Sequence, residues 1–291
     1  MHEKKGLVLV FLAALLMSIG GLCVKMIPWD GLSINAFRSL ISACLIFLFA
    51  KVTHVELKVN PGVLIGAACV CGATTLYIVS TKLTTAANAV LLQFTTAPVF
   101  IILFLWVFFK DRPKRLDVVT CLFVFGGIAC FFLDSLGGGS LLGNVLAVVS
   151  GVFYAGVFMM NKLPGGNAIF SCILGQSLGA LIGLPSLVRE TQFDGRTLLF
   201  ACVLGVFQLG LSYILLSVGL RYAEPVSASL VTGIEPILNP VLVALVVGET
   251  ISGLSLLGGG VVFVTIMVYN ILSARKEKEP QKSAETDVIP V

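Results

Sequence analysis

AEPVSASLVTGIEPILNPVLVALVVGET, residues 223–250, decides how this chain is read. The stretch is long and apolar enough to cross a bilayer, whose ~30 Å hydrocarbon core takes about 20 helical residues. Yet it holds a carboxyl group, Glu235, near its middle, and prolines at 236 and 240. Each proline removes one helical hydrogen bond and frees a carbonyl one turn back. In hydrocarbon those carbonyls need neighbours or water, so this backbone belongs against a protein-lined cavity. Asn239 lies on the face of Glu235, four residues on. A carboxyl there is either a protonatable switch or a hydrogen-bonded brace for the kink.

The rest of the chain is similar material. Of 291 residues, 57% are hydrophobic and 12% charged, where a soluble domain carries about 25% charged residues. Mean hydropathy is +1.04. The chain therefore belongs to the all-α integral membrane class. Ten apolar runs are long enough to span, at 6–24, 32–50, 61–81, 85–108, 116–133, 141–161, 168–188, 197–219, 225–247 and 252–272. The first run is read as a retained span and not as a signal peptide, since it lacks a persuasive cleavage site. The polar stretch 273–291 reads as a disordered cytoplasmic tail.

Lys and Arg set the orientation, because cytoplasmic loops carry the excess. With the N-terminus inside, 14 of the 19 fall in cytoplasmic positions, 4 outside, and Arg38 within a span. Both termini are thus expected in the cytoplasm, which needs an even number of spans. Trp29, Trp106, Tyr222 and Tyr269 fall near span ends, where aromatic rings favour the interface.

Several classes are disfavoured. A net charge of +4 gives no footing for nucleic acid. The 8 cysteines all lie in apolar stretches and read as reduced core residues. The two histidines, His2 and His54, sit in polar segments, so neither a Ser–His site nor a metal cluster can be built in the membrane. No paired aspartates suggest prenyl or phosphoalcohol chemistry. The chain reads as no enzyme, with no metal and no cofactor.

An internal repeat gives the architecture. An offset of 137 brings GLVL at 6–9 onto GNVL at 143–146 and Lys25 onto Lys162. An offset of 138 brings Leu92 onto Leu230, Pro98 onto Pro236 and Asp111 onto Glu249, and residues 84–133 overlay 222–271 without a gap. Each half holds five spans, an odd number, so the second enters from the opposite side. The expected fold is ten transmembrane helices in two inverted five-helix repeats, 6–133 and 141–272.

Polar residues in the oil mark the pathway. Arg38 lies roughly 9 Å below the outer end of the second run, where an unpaired cation costs at least ~2.5 kcal/mol. Asn35 and Ser42 share its face. The 137 offset sets Arg38 opposite Gly175, so the cation breaks the symmetry and suits substrate chemistry better than scaffold. The fourth run carries Thr85, Asn88 and Thr95 on one stripe, Gln93 and Thr96 on a second, and Pro98 as a helix break. Tyr77, Tyr154, Gln208, Ser212 and Tyr213 add hydrogen-bonding walls or plain helix–helix bonds. Glycines at 175, 179 and 183, and at 62 and 66, have the spacing of close helix packing.

With TTAANAVLLQFTTAPVF followed by Asp111, and GIEPILNPVLVALVVGET with Glu249, the chain resembles the EamA group of the drug/metabolite transporter superfamily over about residues 6–272. Lys110-Asp111 stands where the repeat usually reads Gly-Glu, and Arg38 resembles an arginine of the family's second span. The resemblance implies a central cavity and a secondary transporter of a small metabolite, such as an amino acid, with efflux across a bacterial-type inner membrane by alternating access. The first run has no acid, against the mechanism of the small multidrug branch. Alternatives are a multidrug exporter of lipophilic compounds or a non-transport membrane protein. The pathway residues expected are Arg38, Tyr77, Asn88, Gln93, Tyr154, Gln208, Tyr213, Glu235 and Asn239, with helix breaks at Pro98, Pro236 and Pro240. Expected partners are the small-molecule substrate and the lipid bilayer, with protons and a second copy as a homodimer as options.

Overall fold

The computed structural model describes residues 2–112, 115–136, 140–248, 252–254, 256–261, 263–265 and 267–269, and among these there are helices and no strands. Glu249 and the segment 273–291 lie outside the described residues. Helix α1 (His2–Met17) is followed by α2 (Gly20–Met26), α3 (Gly31–Val52), α4 (Pro61–Leu83), α5 (Ala86–Phe109), α6 (Arg115–Leu136), α7 (Leu141–Met159) and α8 (Ala168–Leu187). Then come α9 (Gly195–Val203), a π-helical stretch (Leu204–Leu211), α10 (Ser212–Gly219), α11 (Pro225–Val231), a 3-10 turn (Thr232–Ile234) and α12 (Glu235–Val247).

Eight helical stretches among the described residues are long and apolar enough to cross a membrane. They are Glu3–Met26, Gly31–Val52, Pro61–Leu83, Ala86–Phe109, Leu141–Met159, Ala168–Leu187, Gly195–Gly219 and Pro225–Val247. Two further apolar stretches, Val118–Gly127 and Leu256–Tyr269, are shorter.

The distribution of polarity is inverted relative to a water-soluble protein. Leu48, Val52, Phe108 and Leu245 stand exposed on the outside, while Asn35, Arg38, Gln176 and Asn239 are at most 1% exposed. A soluble monomer rarely tolerates so extensive an apolar surface. This is a multi-pass membrane protein, with its outer surface solvated by lipid.

Helix starts follow from side-chain caps. Asp30 accepts from the backbone N–H groups of Leu32 and Ser33 at 2.7 and 2.9 Å, Asn60 from Val63 at 3.0 Å, Thr85 from Asn88 at 3.1 Å, Ser140 from Gly143 and Asn167 from Phe170. Each supplies one acceptor to the orphan donors of a first turn. Two helices stop alike. Lys110 ends α5 and Gly248 ends α12, both left-handed with φ of 58° and 74°. The 138 offset superposes these two residues. Glycine takes that conformation freely; lysine does so against its Cβ.

Helix α8 packs along α3 and α4, α7 along α4 and α5, α1 along α10, and α3 along the π-helical stretch. Helix α12 contacts α2 and α5, and α11 contacts α1. The glycine stripes act as expected. A Cβ at Gly175 would come 2.6 Å from the Ala67 carbonyl, and one at Gly66 2.5 Å from Ser171 Oγ.

Five expectations need correction. The first apolar run is broken at Ser18–Ile19, between α1 and α2. The eighth run contains a π-helical insertion. Pro98 and Pro240 lie inside continuous helices, and the break near Pro236 is the 3-10 turn before it, with Pro236 at the helix start. A first-turn proline forfeits no ladder bond. Pro98 forfeits one, yet α5 runs on through it. Trp29 is no interface residue; it is 1% exposed, packs against Phe37 and Phe193 and donates to the Gln192 carbonyl at 2.7 Å. Cys44 and Cys202 are exposed, outside the core.

Candidate functional site

Helices from both halves of the chain enclose one polar cavity. Arg38, Thr74, Tyr77, Gln93, Tyr154, Gln208, Tyr213 and Glu235 line it, with Met17, Ala73 and Leu209 supplying apolar wall. The space admits the centre of a water molecule over only ≈ 20 Å³, room for about one water.

Arg38 projects from the N-terminal half of α3. Its Nη1 donates to Gln208 Oε1 at 2.7 Å, and its Nη2 to Asn35 Oδ1 at 3.1 Å and the Thr74 carbonyl at 2.9 Å. Nε is buried without a partner. All three acceptors are neutral. Asn35 is itself fixed, donating to Thr75 Oγ1 at 2.9 Å. The bond to Gln208 spans the two halves. Gln208 reaches Arg38 from the π-helical stretch, whose extra residue per turn swings the side chain round. Ser212 Oγ donates to the Gln208 backbone carbonyl and gives it a partner there.

Glu235 opens α12 directly after the 3-10 turn and is 3% exposed. It shares the cavity with Arg38, yet the two form no ion pair within 4.0 Å, and Glu235 Oε2 meets no donor. Asn239, one turn on, donates to the Tyr77 hydroxyl at 3.2 Å. Its Oδ1 has no partner and lies against Gly21, where an added Cβ would clash with it. Gln93 donates to Ser150 Oγ at 2.7 Å. Tyr154 packs edge-on against Phe94 and Phe158 and donates to Met17 Sδ at 3.7 Å.

Of the nine expected pathway residues, seven line this one cavity, and Asn239 touches it through Tyr77. Asn88 does not line it. It sits in the first turn of α5, with its N–H held by Thr85. The hydroxyls of Thr95 and Thr96 turn back to the Leu92 carbonyl. Met17, Ala73, Thr74 and Leu209 join the lining without a sequence signal of their own. The Gly-Gly pair at 20–21 is the available hint of the interrupted helix that brings Met17 in.

A multi-pass helical protein whose buried polar groups from both halves line one shared cavity has the build of a membrane transporter. The chain belongs to the EamA-like transporter family, whose profile matches residues 4–133 and 141–271, within the drug/metabolite transporter superfamily. It is 27% identical over 311 aligned positions to an uncharacterized transporter of Clostridium kluyveri, covering 97% of this chain and 98% of that one. Its fold resembles that of a protein solved by crystallography, with a TM-score of 0.68 and 18% identity over 93% of this chain and 98% of the other. The family and the transporter-named relative point to a transporter and not an enzyme.

Proposed function

We propose that the protein is a secondary transporter that exports a small zwitterionic or anionic metabolite, of the amino-acid kind, by alternating access across a bacterial-type inner membrane. The observation that carries the reading is Arg38. A fully buried guanidinium with only neutral partners is a charge awaiting a counter-charge. A substrate carboxylate entering the cavity supplies it. The neighbouring phenols and amides give the walls of a small polar ligand their hydrogen bonds.

The helix pairings support the ten-span, inverted-repeat arrangement. Number the runs one to ten in chain order. Third against sixth (α4 with α7) then has its counterpart in eighth against first (α10 with α1). Third against seventh (α4 with α8) matches eighth against second (the π-helical stretch with α3), and second against seventh is its own image. The shared left-handed ends of α5 and α12 obey the same symmetry. Such halves exchange roles when the cavity turns from one face to the other.

The test is a comparison of culture-medium metabolites between cells overexpressing the wild type and cells overexpressing Arg38→Ala at equal membrane levels. The proposal expects at least one carboxylated solute to accumulate outside only with the wild type. Identical media would refute it.

A further inference from the structure

Two buried side-chain oxygens of α12 are left without donors beside the broken first span. Helix α1 ends at Met17 and α2 begins at Gly20. The ladder resumes with Cys23 donating to Ile19, and neither the Ile19 nor the Leu22 backbone N–H reaches back one turn. The carbonyls of Leu15 and Ser18 therefore lack their ladder partners. They form the negative end of the α1 dipole in the middle of the span. Across from this end stands α12. Its Asn239 Oδ1, wholly buried, is unpartnered and lies against Gly21. Its Glu235 Oε2 is unpartnered as well. Met17 and Glu235 both border the cavity, whose free space is about one water in size.

We infer that the junction where the broken first span meets α12 is a binding site for a monovalent metal cation, with Na+ as the fitting ion. The unsatisfied side-chain groups of α12 there are oxygen acceptors, one carboxylate and one amide oxygen, and the helix-end carbonyls of Leu15 and Ser18 add to them. Hard cations take such ligands, and unwound helix ends are where transporters hold coupling ions. A single carboxylate balances one positive charge; a second would sit uncompensated in the oil beside Arg38. With the ion on Glu235, Arg38 keeps the unmet charge, so cation and substrate carboxylate complete the site together. That coupling rests on the transport reading; binding of the ion does not.

The test uses purified full-length protein in detergent with Na+ alone as the probe. NaCl is titrated against choline chloride at constant ionic strength. The site predicts a saturable rise in Tm, roughly 5 °C at 100-fold excess over Kd. The rise is smaller with KCl and lost in Glu235→Gln and Asn239→Ala. Equilibrium binding of 22Na+ to the wild type, displaced by unlabelled Na+ and not by choline, reads the site without any variant. Equal Tm in both salts with no displaceable 22Na+ overturns the inference, and so does stabilisation by acid alone. Solute flux that persists without Na+ binding would remove the ion and leave the transport reading; Na+ binding without flux would do the reverse.

Discussion

Gly21 is the narrowest point of the broken span, and Gly21→Ala measures how tightly that break is held. In an open helix the change stabilises by about 0.8–1.0 kcal/mol. Here the new Cβ would fall on Asn239 Oδ1, with Cγ and Nδ2 at 2.9 and 3.0 Å. Asn239 must move, and its 3.2 Å bond to Tyr77 breaks. A lost hydrogen bond costs about 1 kcal/mol, and overpacking a close contact typically ~1–3 kcal/mol. Set against the propensity gain, the net expectation is destabilisation by about 1–3 kcal/mol. A methyl group added at Gly126 in α6 would meet nothing within 4 Å, so Gly126→Ala is the control and should gain about 0.5–1 kcal/mol. Unfolding of the purified protein in mixed micelles reads both. Asn239→Ala introduced with Gly21→Ala should recover most of the loss, a coupling that a double-mutant cycle isolates. If Gly21→Ala is as stable as Gly126→Ala, the close approach of α2 to α12 is wrong, and so is the cation site built on it.

Three further outcomes follow from the geometry. Arg38→Ala should still insert into the membrane but lower the transport efficiency for a carboxylated solute roughly 10- to 100-fold, the value of a charged hydrogen bond; vesicle uptake against protein level checks it, and unchanged uptake removes the role. Glu235→Gln should flatten the pH profile of flux, because Glu235 is the cavity's sole carboxyl among the described lining residues; a preserved profile would leave it as a brace. Partial burial alone would raise the Asp30 carboxyl, but hydrogen bonds from Ser186, Ser33 and Leu32 outweigh it and hold the pKa below the usual value. Its stabilising contribution is therefore fully present above the unfolded-state value near about 3.9 and fades as pH falls through the lower folded one. The Tm gap between wild type and Asp30→Asn should shrink below about pH 4; a gap that widens in acid contradicts the capping role.

Charge in oil is the clearest signal in the sequence. Arg38 and Glu235 can be placed in a shared interior from sequence because lipid tolerates neither. Helical faces carry Tyr77, Gln93, Tyr154, Gln208 and Tyr213 to the same cavity. Face does not fix depth, however, and that is why Asn88 falls outside it: its stripe continues past the cavity to the capped end of α5. Prolines speak in sequence only through their local effect on the ladder, yet α5 runs on through Pro98, and at Pro236 the helix simply begins. The break at Ser18–Ile19 leaves only a Gly-Gly pair in an unbroken apolar run. The π-helical insertion leaves no compositional trace, since one extra residue in a turn changes geometry and not hydropathy.

Counterflow in proteoliposomes tests the central claim most directly, that the shared cavity opens alternately to the two faces. Vesicles preloaded with the unlabelled solute found by the metabolite comparison should take up its labelled form faster than empty ones, and only with Arg38 intact. Uptake that ignores the preload, or that proceeds equally in Arg38→Ala, would contradict the account.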